Sequence, residues 1–451
     1  MDFKNKSVMI FGMGISGKGV AHLLSDEECA LTLYDSNEQL DDNELLGELN
    51  LLGKANVKKG DLVSKDFKGI DILILSPGIS INAPYVEMAK EEGVHVIGEV
   101  EAAYLVKKGR LAAITGTNGK TTTTALTGKI MQAHFDDVYV VGNIGKSFAS
   151  VAKNTKDESV IVAEISSFQL ESIYDFHPEV SAVLNITPDH LDRHKTFENY
   201  AKTKMLIAKN QSKNEKCVIN YDDEYLRTLA KDINPDVFYF SYLSKLDKGI
   251  YLDGDDIVYN DGTKVQKIIN RYDMNLLGKH NVENVMAACA IGILFGVDIE
   301  TICNIVKEFK AVEHRIEYVT TKGGVKYYND SKGTNTDAAT RAVEAMTSKT
   351  VIIAGGYDKG ADFTDWINSF DGKIKDMVLI GQTAQKIKET AMKCGFENIH
   401  MCDNLQEAVK KAASLANEGE CVLLSPACAS WGQFKNYEQR GELFKQFVLE
   451  L

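Results

Sequence analysis

The sequence predicts an α/β protein of three consecutive domains, each a mainly parallel sheet covered by helices on both faces. Three observations carry this expectation: a length of 451 residues, continuous apolar runs that alternate with helix-like segments, and glycine-rich turns where such runs meet helices. At about 100–200 residues per domain, the length suits three cores. Only six prolines occur and no repeat is present, so boundaries come from changes of pattern. Residues 1–97, 98–309 and 310–451 are the expected domains.

In the first segment, residues 7–11, 31–34, 71–76 and 94–97 read as buried strands of a parallel sheet. A second series follows at 111–115, 138–141, 159–165 and 180–186, then shorter and more polar strands near 215–278 and a helix over 281–295. The third series is expected at 325–329, 351–354, 377–380, 399–402 and 422–425. Ligands of such sheets bind at the carboxyl ends of the strands, where strand order reverses, so the chemistry is sought there.

Composition narrows the function. Fifty-one basic and 64 acidic residues give a net charge of −13, which disfavours neutralising a nucleic-acid backbone. The ordinary balance of 44% apolar and 25% charged residues excludes long disorder. The longest apolar stretch, 287–297, falls short of the roughly 18 residues that span a bilayer, so no membrane insertion is expected. The opening residues show no export segment. Eight cysteines are scattered without a CxxC pair, the pattern of free thiols in a reducing cytoplasm, and no structural zinc is implied.

Gly12-Met-Gly14-Ile-Ser-Gly17 follows the first strand and opens a helix, with Asp35 closing the next strand. Backbone NH groups and the helix dipole there suit a diphosphate, either of a nicotinamide dinucleotide or of a UDP-sugar. The alternative is a glycine turn that only packs helix on strand. A second loop, Gly116-Thr117-Asn118-Gly119-Lys120-Thr121-Thr122, joins a buried strand to a long helix. Its lysine suits β/γ-phosphates and its threonine hydroxyl suits magnesium. The loop departs from the strict eight-residue pattern because Ile114 occupies the first glycine position.

Glu164 closes the apolar run 160–164 just before Ser166-Ser-Phe-Gln, where a hard oxygen ligand for magnesium is wanted. Helix capping or an ion pair competes with that role. His190 and His194 lie four apart after the next strand, but without an HExxH motif a zinc site is a weak reading. Cys428 invites a nucleophile hypothesis, rejected because no partner histidine can be named and buried cysteine is common.

Gly116-Thr-Asn-Gly-Lys-Thr, Glu164-Ile-Ser-Ser-Phe-Gln-Leu-Glu171, His190-Leu-Asp-Arg, His280-Asn281, His314-Arg315, Asn329-Asp330-Ser-Lys332-Gly-Thr334-Asn335 and Leu424-Ser-Pro-Ala-Cys-Ala-Ser430 occur in one order. Together with Ser76-Pro-Gly-Ile-Ser80 and Phe434-Lys-Asn-Tyr-Glu-Gln-Arg-Gly441, they resemble the Mur ligases over essentially the whole chain. The resemblance implies a Rossmann-like amino-terminal UDP-binding domain, a central P-loop ATPase-like domain and a Rossmann-like carboxyl-terminal domain. It implies a cytoplasmic monomer that uses ATP and two magnesium ions to join D-glutamate to UDP-N-acetylmuramoyl-L-alanine, releasing ADP and phosphate in cell-wall precursor synthesis.

Site residues follow from the same likeness. Gly14, Ile15, Ser16 and Ser36 would hold the UDP group, with Asn143, Ser166 and His190 also on that substrate. Gly116 to Thr122, Asn143, Asn281, Asn284, Arg315, Asp330 and Lys332 would hold ATP. Thr121, Glu164, His190 and Lys204, the last as a carbamate, would be the metal ligands, with nearby Lys202 a competitor for Lys204. Lys120, Glu164, His190, Lys204 and Arg315 would carry catalysis. Thr334, Lys359, Ser430 and Tyr437 would contact D-glutamate, where the match loosens: Tyr357 and Tyr437 stand where some members have aspartate and phenylalanine.

Alternatives remain open: a Mur ligase for another amino acid, a folylpolyglutamate synthase, a NAD-dependent oxidoreductase, or a P-loop switch. The first hundred residues argue against the folylpolyglutamate synthase, which lacks such a UDP domain.

Overall fold

The computed structural model describes residues 2–143, 145–310 and 312–451. The chain forms two compact units, Met1–Asn270 with Glu283–Val306, and Arg271–Val282 with Lys307–Leu451.

The first unit holds two sheets. One has five parallel strands, β1 (Ser7–Phe11), β2 (Ala30–Asp35), β3 (Ala55–Lys59), β4 (Ile72–Leu75) and β5 (His95–Gly98), in the order β3-β2-β1-β4-β5. Successive side chains go to opposite faces. Val8 and Ile10 pack under helix Ile15–Leu24 with Val20 and Leu24, while Met9 and Phe11 meet Phe67 and Val86 on the other side. Both faces are therefore apolar, which explains why the runs are continuous rather than alternating.

The second sheet has nine strands: β6 (Arg110–Thr115), β7 (Val138–Gly142), β8 (Val160–Glu164), β9 (Val180–Val183), β10 (Lys216–Asn220), β11 (Asp236–Ser241), β12 (Gly249–Asp253), β13 (Asp256–Asn260) and β14 (Val265–Asn270). Their order is β14-β13-β12-β11-β10-β9-β6-β8-β7, parallel from β7 to β12 and ending in an antiparallel meander. The meander is the polar strand region expected near 215–278.

Two buried carboxylates tie the first sheet to the second. Glu99 Oε1 accepts the backbone NH of Ala149 at 2.9 Å, and Glu101 accepts those of Tyr174, Asp175 and Phe176 at 2.7–3.1 Å. Burial pushes both carboxyls up from their ordinary range, partly offset by these bonds.

The second unit carries a six-stranded sheet: β15 (Glu317–Lys322), β16 (Val325–Asn329), β17 (Thr350–Ala354), β18 (Ile374–Leu379), β19 (Ile399–Met401) and β20 (Cys421–Leu424). The order is β15-β16-β20-β17-β18-β19, parallel except for the β15–β16 hairpin. Ile352 faces one core with Trp366 and Ile387, and Val351 and Ile353 face the other with Val409 and Phe444.

Strands β3 and β15 do not figure among the expected strands. Both lie at sheet edges and carry lysine, threonine or asparagine, so neither has the apolar run that marks a strand buried on two faces. No helix among the described residues is long and apolar enough to cross a membrane. All eight cysteines are free thiols.

Candidate active site

Strand order reverses at β1 and at β6, and both predicted glycine loops leave those strands. At β1, a Cβ on Gly17 would lie 1.8 Å from the carbonyl oxygen of Gly12, so only glycine lets the helix start this close to the strand. Asp35 holds the loop: its carboxylate accepts the backbone NH of Met13 at 2.8 Å and of Asn37 at 2.9 Å. Ser76 Oγ donates to Gly12 O at 3.0 Å from the loop after β4. Gly14 caps helix Ile15–Leu24 without a side-chain partner, Ile15 is 79% exposed, Ser16 is half-buried and Ser36 is exposed just past β2. This is a helix start without a side-chain cap at the carboxyl end of a strand, the kind of place where anions bind.

At β6, helix Lys120–Gln132 starts from Gly119, whose φ is +87° and whose Cβ would lie 2.1 Å from Asn284 Oδ1. The loop is braced from the turn after β9. Asn118 NH donates to Asn185 Oδ1 at 2.9 Å, Thr117 NH donates to Asn185 O at 2.9 Å, and Tyr200 OH donates to Thr117 Oγ1 at 3.1 Å. Thr121 and Thr122 are buried in the first helical turn. Lys120 Nζ donates to Gly116 O and Thr117 O, both at 2.8 Å.

Lys204 reaches the same place from helix Phe197–Met205. Its Nζ donates to Gly116 O at 2.8 Å, and the side chain is 1% exposed. The Nζ atoms of two lysines thus share one carbonyl oxygen. Burial, and next the Lys120 charge, hold Lys204 well below the usual lysine range, with Asp189 and Glu164 opposing. Lys202, the competitor in sequence, is exposed.

Glu164 ends β8 and is 1% exposed. Its Oε1 accepts from Asn143 Nδ2 at 3.1 Å, while Oε2 is buried without a hydrogen-bond partner. An unpaired buried carboxylate oxygen is costly, and a hard cation is its natural complement. The donor set therefore fits magnesium. Ile144, in the turn that contains Asn143, lies outside the described residues. Ser166 caps helix Ser167–Leu170 through a reciprocal bond with Gln169. His190 has a φ of +51° and is exposed, with its ring edge-on to Phe168 at 4.9 Å. The geometry thus brings Gly116, Lys120 and Lys204 together, pairs Asn143 with Glu164, and sets Asn284 against Gly119.

In the second unit, Asp330 follows β16 and is buried. It accepts from Ser425 Oγ at 2.8 Å, and burial pushes its carboxyl up to about 7 against the pull of Ser425 and Arg315. Arg315 Nε is buried with no hydrogen-bond partner. Lys332 Nζ stands 5.2 Å from the centre of the Tyr437 ring. Lys359 is exposed and lies 5.7 Å from the Trp431 ring, while Ser430 is buried. Thr334 is half-buried, its NH donating to Lys332 O at 2.9 Å, and Asn281 Nδ2 donates to Leu277 O at 2.7 Å.

Sequence reasoning missed Arg440 as an organiser. This fully buried guanidinium donates to Ser331 Oγ, Ser331 O and Cys428 O at 2.7–3.1 Å, which fixes the Asp330 loop and the Cys428 turn. Burial pulls its pKa down to about 10. Cys428 itself is buried beside Thr383 Oγ1 at 3.3 Å, with its thiol pushed up to about 11 by burial. That is the protonated state, opposite to an activated nucleophile.

This assembly of a diphosphate-type helix start, a phosphate loop with two lysines and a third Rossmann-like sheet has counterparts among known proteins. Three family models match in succession: the Mur ligase MurD-like N-terminal domain at residues 6–98, the Mur ligase middle domain at 114–292, and the Mur ligase glutamate ligase domain at 314–428. The chain belongs to the Mur ligase family. It is 51% identical over 451 residues to a UDP-N-acetylmuramoylalanine--D-glutamate ligase of Lachnospira eligens, covering 100% of both chains. It is 49% identical over 448 residues to the protein of that name from Lachnoclostridium phytofermentans, covering 99% of each. Solved structures share the fold at low identity. UDP-N-acetylmuramate-alanine ligase MurC of Thermotoga maritima has a TM-score of 0.60 at 18% identity, covering 99% of each chain. MurF ligase of Thermotoga maritima in complex with ADP has a TM-score of 0.60 at 15% identity, covering 100% of this chain and 96% of that one.

Proposed function

We propose that this protein is an ADP-forming ligase that adds D-glutamate to the alanyl carboxylate of UDP-N-acetylmuramoyl-L-alanine, in peptidoglycan precursor synthesis in the cytoplasm. The observation that carries the chemistry is the convergence of Lys120 and Lys204 on Gly116 O at the switch point of the second sheet, in a chain about half identical end to end to ligases of that name. The free thiols support a reducing compartment.

A carboxylate gives an amide only after its oxygen becomes a leaving group. Transfer of the γ-phosphoryl group of ATP to the alanyl carboxylate gives an acyl phosphate and ADP. The amine of D-glutamate then attacks the acyl carbon, and phosphate leaves with the former carboxylate oxygen. Both partners of the first step are anionic, so the protein's contribution is positioning and charge neutralisation.

Lys120 would exchange the carbonyls of Gly116 and Thr117 for β/γ-phosphate oxygens. Arg315, whose Nε lacks a partner, suits phosphate contact, with Asn281, Asn284, Asp330 and Lys332 on the remainder of the nucleotide. Gly14, Ile15, Ser16 and Ser36 would take the UDP group, with Asn143, Ser166 and His190 further along that substrate. Thr334, Lys359, Ser430 and Tyr437 would receive D-glutamate.

Thr121, Glu164, His190 and a carbamate on Lys204 would hold magnesium, at two sites. Magnesium bound there supplies neutralisation of the phosphate oxygens. Burial and the adjacent Lys120 favour the neutral Lys204 amine. That amine is the form that adds CO2: a bond forms from Nζ to the CO2 carbon, one proton is released, and an anionic carbamate takes the place of the neutral amine.

The deciding experiment measures phosphate release with ATP, magnesium and UDP-N-acetylmuramoyl-L-alanine across a panel of amino acids. D-glutamate alone is expected to give strong turnover. AMP as product, or turnover indifferent to the amino acid, would overturn the proposal.

A further inference from the structure

Arg193 has no assigned role in the scheme above, yet its guanidinium meets three elements that the proposed site depends on. Nη1 donates to Pro77 O at 3.2 Å and Nη2 to Ile79 O at 3.1 Å, both in the loop after β4. Nε donates to Glu171 Oε2 at 3.1 Å, and the two side chains of that ion pair are only 15% and 14% exposed. The guanidinium carbon lies 4.2 Å from the centre of the Phe168 ring, the ring that meets His190 edge-on at 4.9 Å.

Each contact leads to a ligand-facing group. The loop after β4 braces the first glycine loop, since Ser76 Oγ donates to Gly12 O and a Cβ on Gly12 would lie 3.3 Å from Ile79 Cδ1. Phe168 lies in helix Ser167–Leu170 and Glu171 caps its carboxyl end; the helix begins three residues after Glu164 ends β8. Arg193 itself sits in the turn that His190 opens, its NH donating to His190 O at 3.1 Å. One planar fork therefore joins the loop after β4, which braces the first glycine loop, to Glu171 and Phe168 beside the turn of His190. Lysine has the charge but not the geometry to hold two carbonyls and a carboxylate while stacking on a ring.

We infer that Arg193 is a positioning residue that registers the UDP-substrate loop against the metal-binding edge of the phosphate site. The inference rests on the ligase reading above. Lys120, Lys204 and Asn284 reach the phosphate loop without it, so nucleotide binding should be independent of Arg193 while use of the UDP-linked substrate should not.

The test compares wild type, Arg193→Lys and Phe168→Leu. It uses steady-state kinetics in UDP-N-acetylmuramoyl-L-alanine and in ATP, with ADP binding measured separately by calorimetry. Arg193→Lys is expected to raise KM for the UDP-linked substrate about tenfold and lower kcat by a similar factor, because charge-assisted bonds are lost, while KM for ATP and the ADP affinity stay within about twofold. Phe168→Leu removes the ring between Arg193 and His190 and is expected to lower kcat with a smaller change in that KM. Wild-type kinetics in Arg193→Lys would overturn the inference, as would an equal loss of ADP affinity, which marks a general structural role. Wild-type protein without D-glutamate-dependent turnover would instead overturn the ligase reading itself.

Discussion

Replacing Lys204 by methionine separates what its amine does for stability from what it does for chemistry. The Nζ donates to Gly116 O at 2.8 Å and reaches Thr115 Oγ1 only at 3.5 Å. A hydrogen bond from a charged group is worth about 1.5–3 kcal/mol, and the longer contact adds little. Against this stands the desolvation of an ammonium, several kcal/mol in a protein interior, and repulsion by Lys120 across the same oxygen. Methionine is unbranched and close in volume, keeps packing on Tyr200, and leaves Gly116 O bonded to Lys120. Lys204→Met should therefore unfold at the same free energy as wild type or up to about 2 kcal/mol higher in metal-free, bicarbonate-free buffer. Phosphate release should fall by a factor of about 100–1,000, the scale of losing one preorganised electrostatic group. Thermal or urea unfolding run beside the coupled phosphate assay reads both. A loss of more than about 2 kcal/mol would make the ammonium a structural tie. Undiminished turnover would remove Lys204 from the chemistry.

Three further outcomes are expected. Lys120→Ala should abolish ATP turnover while binding of the UDP-linked substrate by calorimetry stays near wild type; equal loss of both would refute the division between the two glycine loops. Asp330 has its carboxyl raised to about 7 in the fold, so at intermediate pH the folded state holds a proton that the unfolded state releases. Stability must then fall as pH rises from about 4, the ordinary aspartate value, to about 7, and Asp330→Asn should gain a few kcal/mol on wild type across that window in urea unfolding; a difference that does not vary with pH would refute the raised carboxyl. Cys428→Ser should keep kcat within about threefold and cost about 1 kcal/mol, since a hydroxyl can still meet Thr383; a complete loss of turnover would reopen the nucleophile hypothesis.

What the sequence discloses depends on whether the signal is local. Strands β1 and β16 match the expected ranges residue for residue: β1 is a run of four buried apolar residues after Ser7, as a strand covered on both faces needs, whereas β16 keeps Lys326 exposed between buried Val325 and Tyr327. The glycine loop after β6 is legible because its glycine, lysine and threonine residues act through the backbone turn in which they sit. The choice between Lys202 and Lys204 was not legible from the residues alone. They lie two apart on one helix, and only packing on Tyr200 and Gly116 decides which turns inward. Arg193 and Arg440 are not legible as organisers because some of their partners, Pro77, Ile79 and Ser331, lie more than a hundred residues away.

The paired lysines on Gly116 O also bear on how an anion arrives. With a net charge of −13, the molecule as a whole repels a polyanionic nucleotide at long range, while the lysines at Gly116 O pull the other way at close range. Dissolved salt at physiological strength damps fields beyond about 8 Å yet scarcely reaches a half-buried Lys120 beside a buried Lys204. Nucleotide uptake should accordingly quicken as ionic strength rises, the reverse of the behaviour of proteins whose whole surface is cationic.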